Sequence, residues 1–92
     1  MATLYTTDGK QREVQPKNGT DFQLDELYKL LGCEMIEFVV PRSQPGCILI
    51  IDEEGKLRAR EPNLHATILA SHSGLNDYIV GDALLCKAEE FK

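Results

Sequence analysis

Tryptophan is absent from this chain of 92 residues, and tyrosine and phenylalanine contribute three each, so the core has to be built mainly from aliphatic side chains. Four prolines and seven glycines are too few for a low-complexity or collagenous chain, and 42% hydrophobic with 27% charged residues is the balance of a folded domain. Nowhere do about eighteen apolar residues follow one another, so no membrane-spanning helix is expected. The opening Met1-Ala2-Thr3-Leu4-Tyr5 lacks both the basic and the apolar part of a secretory signal, which predicts a cytoplasmic protein without membrane contact. Cysteines are few and odd in number: Cys33, Cys47 and Cys86 are widely spaced, which fits reduced, buried thiols better than a disulfide framework. Positive charge is scarce, with ten Lys and Arg against fifteen Asp and Glu and a formal charge of −5. General nucleic-acid binding, which rests on phosphate neutralisation, is therefore disfavoured. Walker loops, dinucleotide fingerprints, Cys-x-x-Cys pairs and Gly-x-Ser-x-Gly turns are all missing, and no cofactor, metal or catalytic residue is expected.

What is present fits one small domain spanning 1–92. Asp8-Gly9 between short runs predicts a tight hairpin with strands at 2–7 and 10–15, Tyr5 opposite Arg12 and Leu4 opposite Glu13, at a sheet edge. Thr20 with Gln23 reads as a capping box ahead of Leu24, Leu27, Tyr28 and Leu31, which predicts a helix over 21–31 stopped by Gly32. Residues 34–40 read as a strand with Ile36, Phe38 and Val40 on one face. Cys47 to Ile51 is apolar on both alternating faces, as in a strand covered on each side. Asp52-Glu53-Glu54-Gly55 predicts a turn returning as a strand over Lys56 to Arg60. Asn63 is placed to cap a short helix with a Leu64–Ile68 contact, and two short runs split by Gly81-Asp82 follow. Lys87 to Lys92 read as a frayed polar end. The expected fold class is α+β: a largely antiparallel sheet with one main helix and one short helix. Its expected core is Leu24, Leu27, Leu31, Ile36, Phe38, Ile48, Ile50, Ile68, Ile79 and Leu84.

Three blocks, Glu53-Glu54-Gly55-Lys56, Asn63-Leu64-His65-Ala66-Thr67 and Ile79-Val80-Gly81-Asp82-Ala83-Leu84-Leu85, resemble an uncharacterised family of small bacterial, phage and plasmid-borne domains of unknown function. The resemblance covers about the last forty residues. It implies an accessory protein of a mobile genetic element and brings no catalytic residue, cofactor or ligand.

Two constellations could carry binding. Lys56, Arg58 and Arg60 alternate on the expected strand, with the helix start at Asn63 close by, which could cradle a phosphate; a solvated edge strand protected by its cations explains the same pattern. Removing Arg58 and Arg60 together is expected to abolish nucleotide binding with little change in melting temperature. Asp21, Asp25, Glu26, Glu34 and Glu37 oppose only Lys29 in segment 21–40, an acidic stretch suited to a basic partner and equally readable as a solvated face. His65 and His72 stand seven apart, not at metal-ligand spacing; the Ser71 and Ser73 hydroxyls and the turn carboxylate of Asp82 read as surface and turn chemistry. The leading expectation is a non-enzymatic interaction protein of a mobile element that modulates a host complex, with a host or mobile-element protein as partner. An open edge strand leaves room for a homodimer. The alternative is a small binding protein, a sink, for a phosphorylated or nucleotide-like ligand at Lys56, Arg58, Arg60 and Asn63.

Overall fold

The computed structural model describes residues 2–41, 44–55, 57, 59–71 and 78–91. Strands β1 (Ala2–Tyr5), β2 (Gln11–Val14), β3 (Ile36–Val39), β4 (Cys47–Asp52) and β5 (Ala83–Lys87) form an antiparallel sheet in the order β2-β1-β5-β4-β3. Helices α1 (Leu24–Leu31) and α2 (Leu64–Ser71) and a short 3₁₀ turn at Ala88–Glu90 complete an α+β domain. Among the described residues no helix is long and apolar enough to cross a membrane.

Strand alternation divides the apolar residues between two layers. Ile48 and Ile50 of β4, Leu84 and Cys86 of β5, and Ala2 and Leu4 of β1 pack with Phe22, Leu27 and Leu31 on the α1 side. Leu49, Ile51 and Ala83 pack with Ala66, Ala70 and Ile79 on the α2 side. The doubly apolar pattern of Cys47 to Ile51 thus has its expected cause: β4 is an inner strand with a helix over each face.

The hairpin differs from its sequence-based register by one residue. Leu4 pairs with Arg12 and Tyr5 with Gln11, because the Thr6 N–H bonds Lys10 O at 2.9 Å and Thr7-Asp8-Gly9 make a three-residue loop with Gly9 at φ 87°. A one-residue slip exchanges the faces of β2 relative to β1, which is how Val14 comes to pack on the core beside Ala2 and Leu4. Of the hairpin's two strands, β2 alone is at a sheet edge; β1 lies between β2 and β5. In the loop, Thr6 Oγ1 donates to Asp8 Oδ1, and this bond with the Lys10 N–H holds the Asp8 carboxyl below its ordinary value.

Helix α1 begins three residues later than its pattern predicts. Gln23 is the N-cap, its backbone N–H bonds Glu26 Oε1 at 3.3 Å, and the capping box is Gln23 with Glu26 rather than Thr20 with Gln23. The cause lies upstream: Phe22 is fully buried and forms a parallel bridge with Phe91, its N–H bonding Glu90 O at 2.6 Å. Phe22 fills the space expected of Leu24, which is exposed, and the C-terminal segment through Phe91 closes the core instead of fraying. Gly32 ends the helix in the left-handed region as expected, at φ 63°.

Phe38 and Ile68 also leave the expected core for the surface. Phe38 sits on β3, an edge strand, and α2 turns Ala66 and Ala70 rather than Leu64 and Ile68 toward the sheet. Small residues let the helix approach closely, and its rotation is set by the Asn63 contacts described below. No strand runs through the described positions 57, 59 and 60; Ala59 takes φ 53°, incompatible with an extended return. The 79–81 segment instead bridges the chain before α2, through Pro62 and Val80, with Asn63 N bonding Ile79 O and Gly81 N bonding Glu61 O, both at 2.8 Å.

Cys33, Cys47 and Cys86 carry reduced thiols. Burial, reinforced by Glu90, pushes the Cys86 thiol from an ordinary 9.0 to about 12, so it stays protonated and unreactive in the folded state. At mildly alkaline pH, a maleimide or disulfide reagent is expected to modify the half-buried Cys47 first, with Cys86 labelled only on unfolding. Because the folded thiol holds its proton where the unfolded one has lost it, stability falls as pH climbs above 9.0. Mass spectrometry after timed labelling checks the order; rapid labelling of Cys86 in native buffer would contradict it.

Candidate functional site

Of the expected basic stripe, Lys56 and Arg58 lie outside the described residues. Arg60 turns inward. Its Nε lies 2.7 Å from Asp52 Oδ2, and its Nη2 donates to Gly32 O at the C-terminal end of α1. The other Asp52 oxygen accepts the Glu54 N–H at 2.9 Å, and the Asp52 side chain is only 1% exposed. A guanidinium at a helix C-terminus also meets the negative end of the dipole. Gly81, at φ 80°, allows the approach: a Cβ there would stand 2.9 Å from Arg60 Cδ. Arg60 thus links α1, β4 and the Gly81 turn, and Arg60→Ala is expected to destabilise the domain by about 3 kcal/mol, because Asp52 would be left buried without its cation. A thermal melt should fall by over about 10 °C; an unchanged melting temperature, as the strand reading expected, would remove the structural role.

Asn63 is 1% exposed and every polar group it has is engaged inside the protein. Oδ1 accepts the Ala66 N–H at 3.1 Å as the N-cap of α2, and Nδ2 donates to Tyr5 O and Gly81 O, each at 2.9 Å. Its carbonyl accepts from the Thr67 N–H and hydroxyl. Arg60 and Asn63 therefore do not converge on an open anion site. Arg60 instead borders a cleft of about 370 Å³ with Thr7, Glu61 and Asp82, whose two carboxylates oppose a phosphate. Asp82 Oδ1 accepts the Thr7 N–H at 3.2 Å, and exposed His65 stacks edge-on against Tyr5 at 5.4 Å. His72 and Ser73 lie outside the described residues.

The acidic segment is dispersed. Asp21 accepts from Asn18 Nδ2, Thr20 Oγ1 and Gln23 Nε2, which ties it into the loop before α1. Glu26 is buried and accepts the Lys17 N–H at 2.9 Å. Asp25, Glu34 and Glu37 remain at the surface.

Glu34 and Glu37 flank an arrangement that includes Phe38, which pattern reading placed in the core. β3 pairs with β4 alone, and its outer edge has no strand beside it among the described residues. Phe38 on β3 is 53% exposed, and Met35 and Val40 just outside its two ends are 48% and 60% exposed. Phe38 leans on Phe91 at 5.3 Å between ring centroids, which holds the ring in place without covering it. Glu53 is brought to the same end by its N–H bond to Met35 O at 3.1 Å. The site is thus an apolar strip with carboxylates at its margin. The available signal was the charge interleaved with apolar residues in 34–37, typical of edge strands.

Among the described residues no group of three or more His, Cys, Asp or Glu is placed to hold a metal ion. No curated protein and no solved structure matches this chain. A family model described as a domain of unknown function, DUF3846, matches residues 1–92, so the likeness extends over the hairpin and α1 as well as the three C-terminal blocks, and the chain belongs to the DUF3846 family.

Proposed function

We propose that this domain is a non-enzymatic, cytoplasmic interaction protein, an accessory of a mobile genetic element that modulates a host complex through the β3 edge. The observation that carries the reading is exposed Phe38 on the open edge strand β3, with exposed Met35 and Val40 just outside its two ends and Glu34 and Glu37 beside them. An open edge offers backbone hydrogen bonds to an added strand, the apolar side chains offer buried area, and the carboxylates select a partner presenting basic residues. Asp82 is engaged within the fold by the Thr7 N–H and Asp52 by Arg60, which also favours a binding role. Of the residues of the phosphate-sink alternative, Arg60 and Asn63 are engaged inside the protein, and Lys56 and Arg58 lie outside the described residues.

Affinity capture from the natural host with wild type and with Phe38→Lys tests the proposal. Wild type is expected to retain a specific protein that the variant loses by about tenfold or more, with both melting alike because Phe38 is exposed. Retention of the same protein by both variants would move the interface elsewhere. Sedimentation adds a second check: a stable homodimer abolished by Phe38→Lys would mean that the edge is occupied by a second copy.

A further inference from the structure

The opposite edge of the sheet carries a different chemistry. Arg12 lies across from Leu4 and Val14 from Ala2, and both partners belong to the layer under α1, so Arg12 and Val14 share the α1 face of β2. Between β2, the following loop and α1 lies a cleft of about 380 Å³ lined by Arg12, Val14, Lys17, Glu26, Lys29 and Leu30. That volume is in the range of small-molecule sites.

Three cations reach this cleft from three separate segments, and among the described residues none of them enters an ion pair. Grouping them costs electrostatic repulsion that no neighbouring carboxylate relieves directly. Glu26 is the acid present, and its oxygens face inward to the N–H groups of Lys17 and Gln23. Three positive charges less the Glu26 carboxylate leave two, the charge of a phosphate monoester dianion. A monocarboxylate would compensate only half of it. Val14 and Leu30 add apolar surface suited to a ring or short chain.

We propose that this cleft binds a phosphate monoester carried on an apolar body, the phosphate held by Arg12, Lys17 and Lys29 and the body lying on Val14 and Leu30. The guanidinium fork of Arg12 supplies paired hydrogen bonds, and the two ammonium groups supply compact charge. The overall charge of −5 does not prevent this, because at physiological salt fields are screened beyond about 8 Å. The site is independent of the β3 edge, with three strands between the two edges.

Phenyl phosphate, inorganic phosphate, benzoate and phenol are the probes, titrated into the 92-residue chain at low and moderate salt with backbone amide chemical shifts as the readout. Phenyl phosphate is expected to perturb Val14, Lys17 and Leu30, to bind about tenfold more tightly than inorganic phosphate or benzoate, and to weaken with salt. Phenol should leave the spectrum unchanged. Arg12→Gln with Lys29→Gln should abolish the shifts while the melting temperature moves little, since Arg12 and Lys29 are exposed. Because the mapping uses wild type, it stands even if the double variant folds poorly. No saturable shift with phenyl phosphate at millimolar concentration, shifts mapping to another surface, or equal binding of benzoate would each overturn the proposal.

Discussion

Ile50→Asp is expected to leave almost no folded protein under native conditions. Ile50 has no exposed surface and lies between Phe38 on β3 and Leu84 on β5, facing α1. Truncating it alone would cost about 2–5 kcal/mol through lost contacts and a cavity. A carboxylate there adds several kcal/mol more, because it would be buried within an apolar cluster. A domain of this size has about 5–10 kcal/mol to lose. Phe38→Asp makes the contrast: Phe38 is the direct cross-strand neighbour, yet it is half-exposed and tolerates a solvated charge. Far-UV circular dichroism and a urea titration should show Ile50→Asp unfolded without denaturant and Phe38→Asp near wild type. A cooperative transition for Ile50→Asp close to that of wild type would overturn the inner-strand assignment.

The same pair shows what periodicity conveys. Cys47 to Ile51 announces an inner strand because both faces are apolar, and the structure places a helix over each. Residues 34–40 announce a strand equally well, but nothing local states which strand will be last in the sheet, so Phe38 reads as core and lies at the edge. The order β2-β1-β5-β4-β3 is settled by pairings between distant segments, such as Leu4 with Leu84. Phe22 makes a similar point. Its burial depends on Glu90 and Phe91 at the far end of the chain, which local reading treats as a frayed tail. The acids of segment 21–40 are legible as a count, while their dispersal is not, because Glu26 spends its charge on backbone N–H groups. Arg60 reads as one of three alternating cations, but the positive φ at Ala59 breaks the strand and turns it onto Asp52.

Asn63 combines a local role with a long-range one, and Asn63→Asp separates them. As an N-cap, aspartate is as good as asparagine and gains about 0.3–1 kcal/mol from the helix dipole, so a reading confined to α2 expects a neutral or stabilising change. The buried amide, however, also donates to Tyr5 O and Gly81 O, and it is these bonds that fix α2 against the β1–β5 end of the sheet. A carboxylate oxygen in that position faces two carbonyl oxygens with no proton to offer. Two hydrogen bonds are lost, two acceptors are left unsatisfied and a charge is buried, for a net cost of about 3–5 kcal/mol at neutral pH. Protonation restores one donor, so the folded state raises the pKa of the new carboxyl above the unfolded value of about 3.9. The folded variant then binds a proton that the unfolded chain has released, and its stability declines as pH rises through that interval. Relative to wild type, the deficit of Asn63→Asp should therefore shrink between neutral pH and about pH 4.5, whereas that of Asn63→Ala, which has nothing to titrate, should stay constant. Urea titrations of the three proteins across this range decide the matter: a pH-independent difference, or a stabilised Asp variant, would confine Asn63 to the cap.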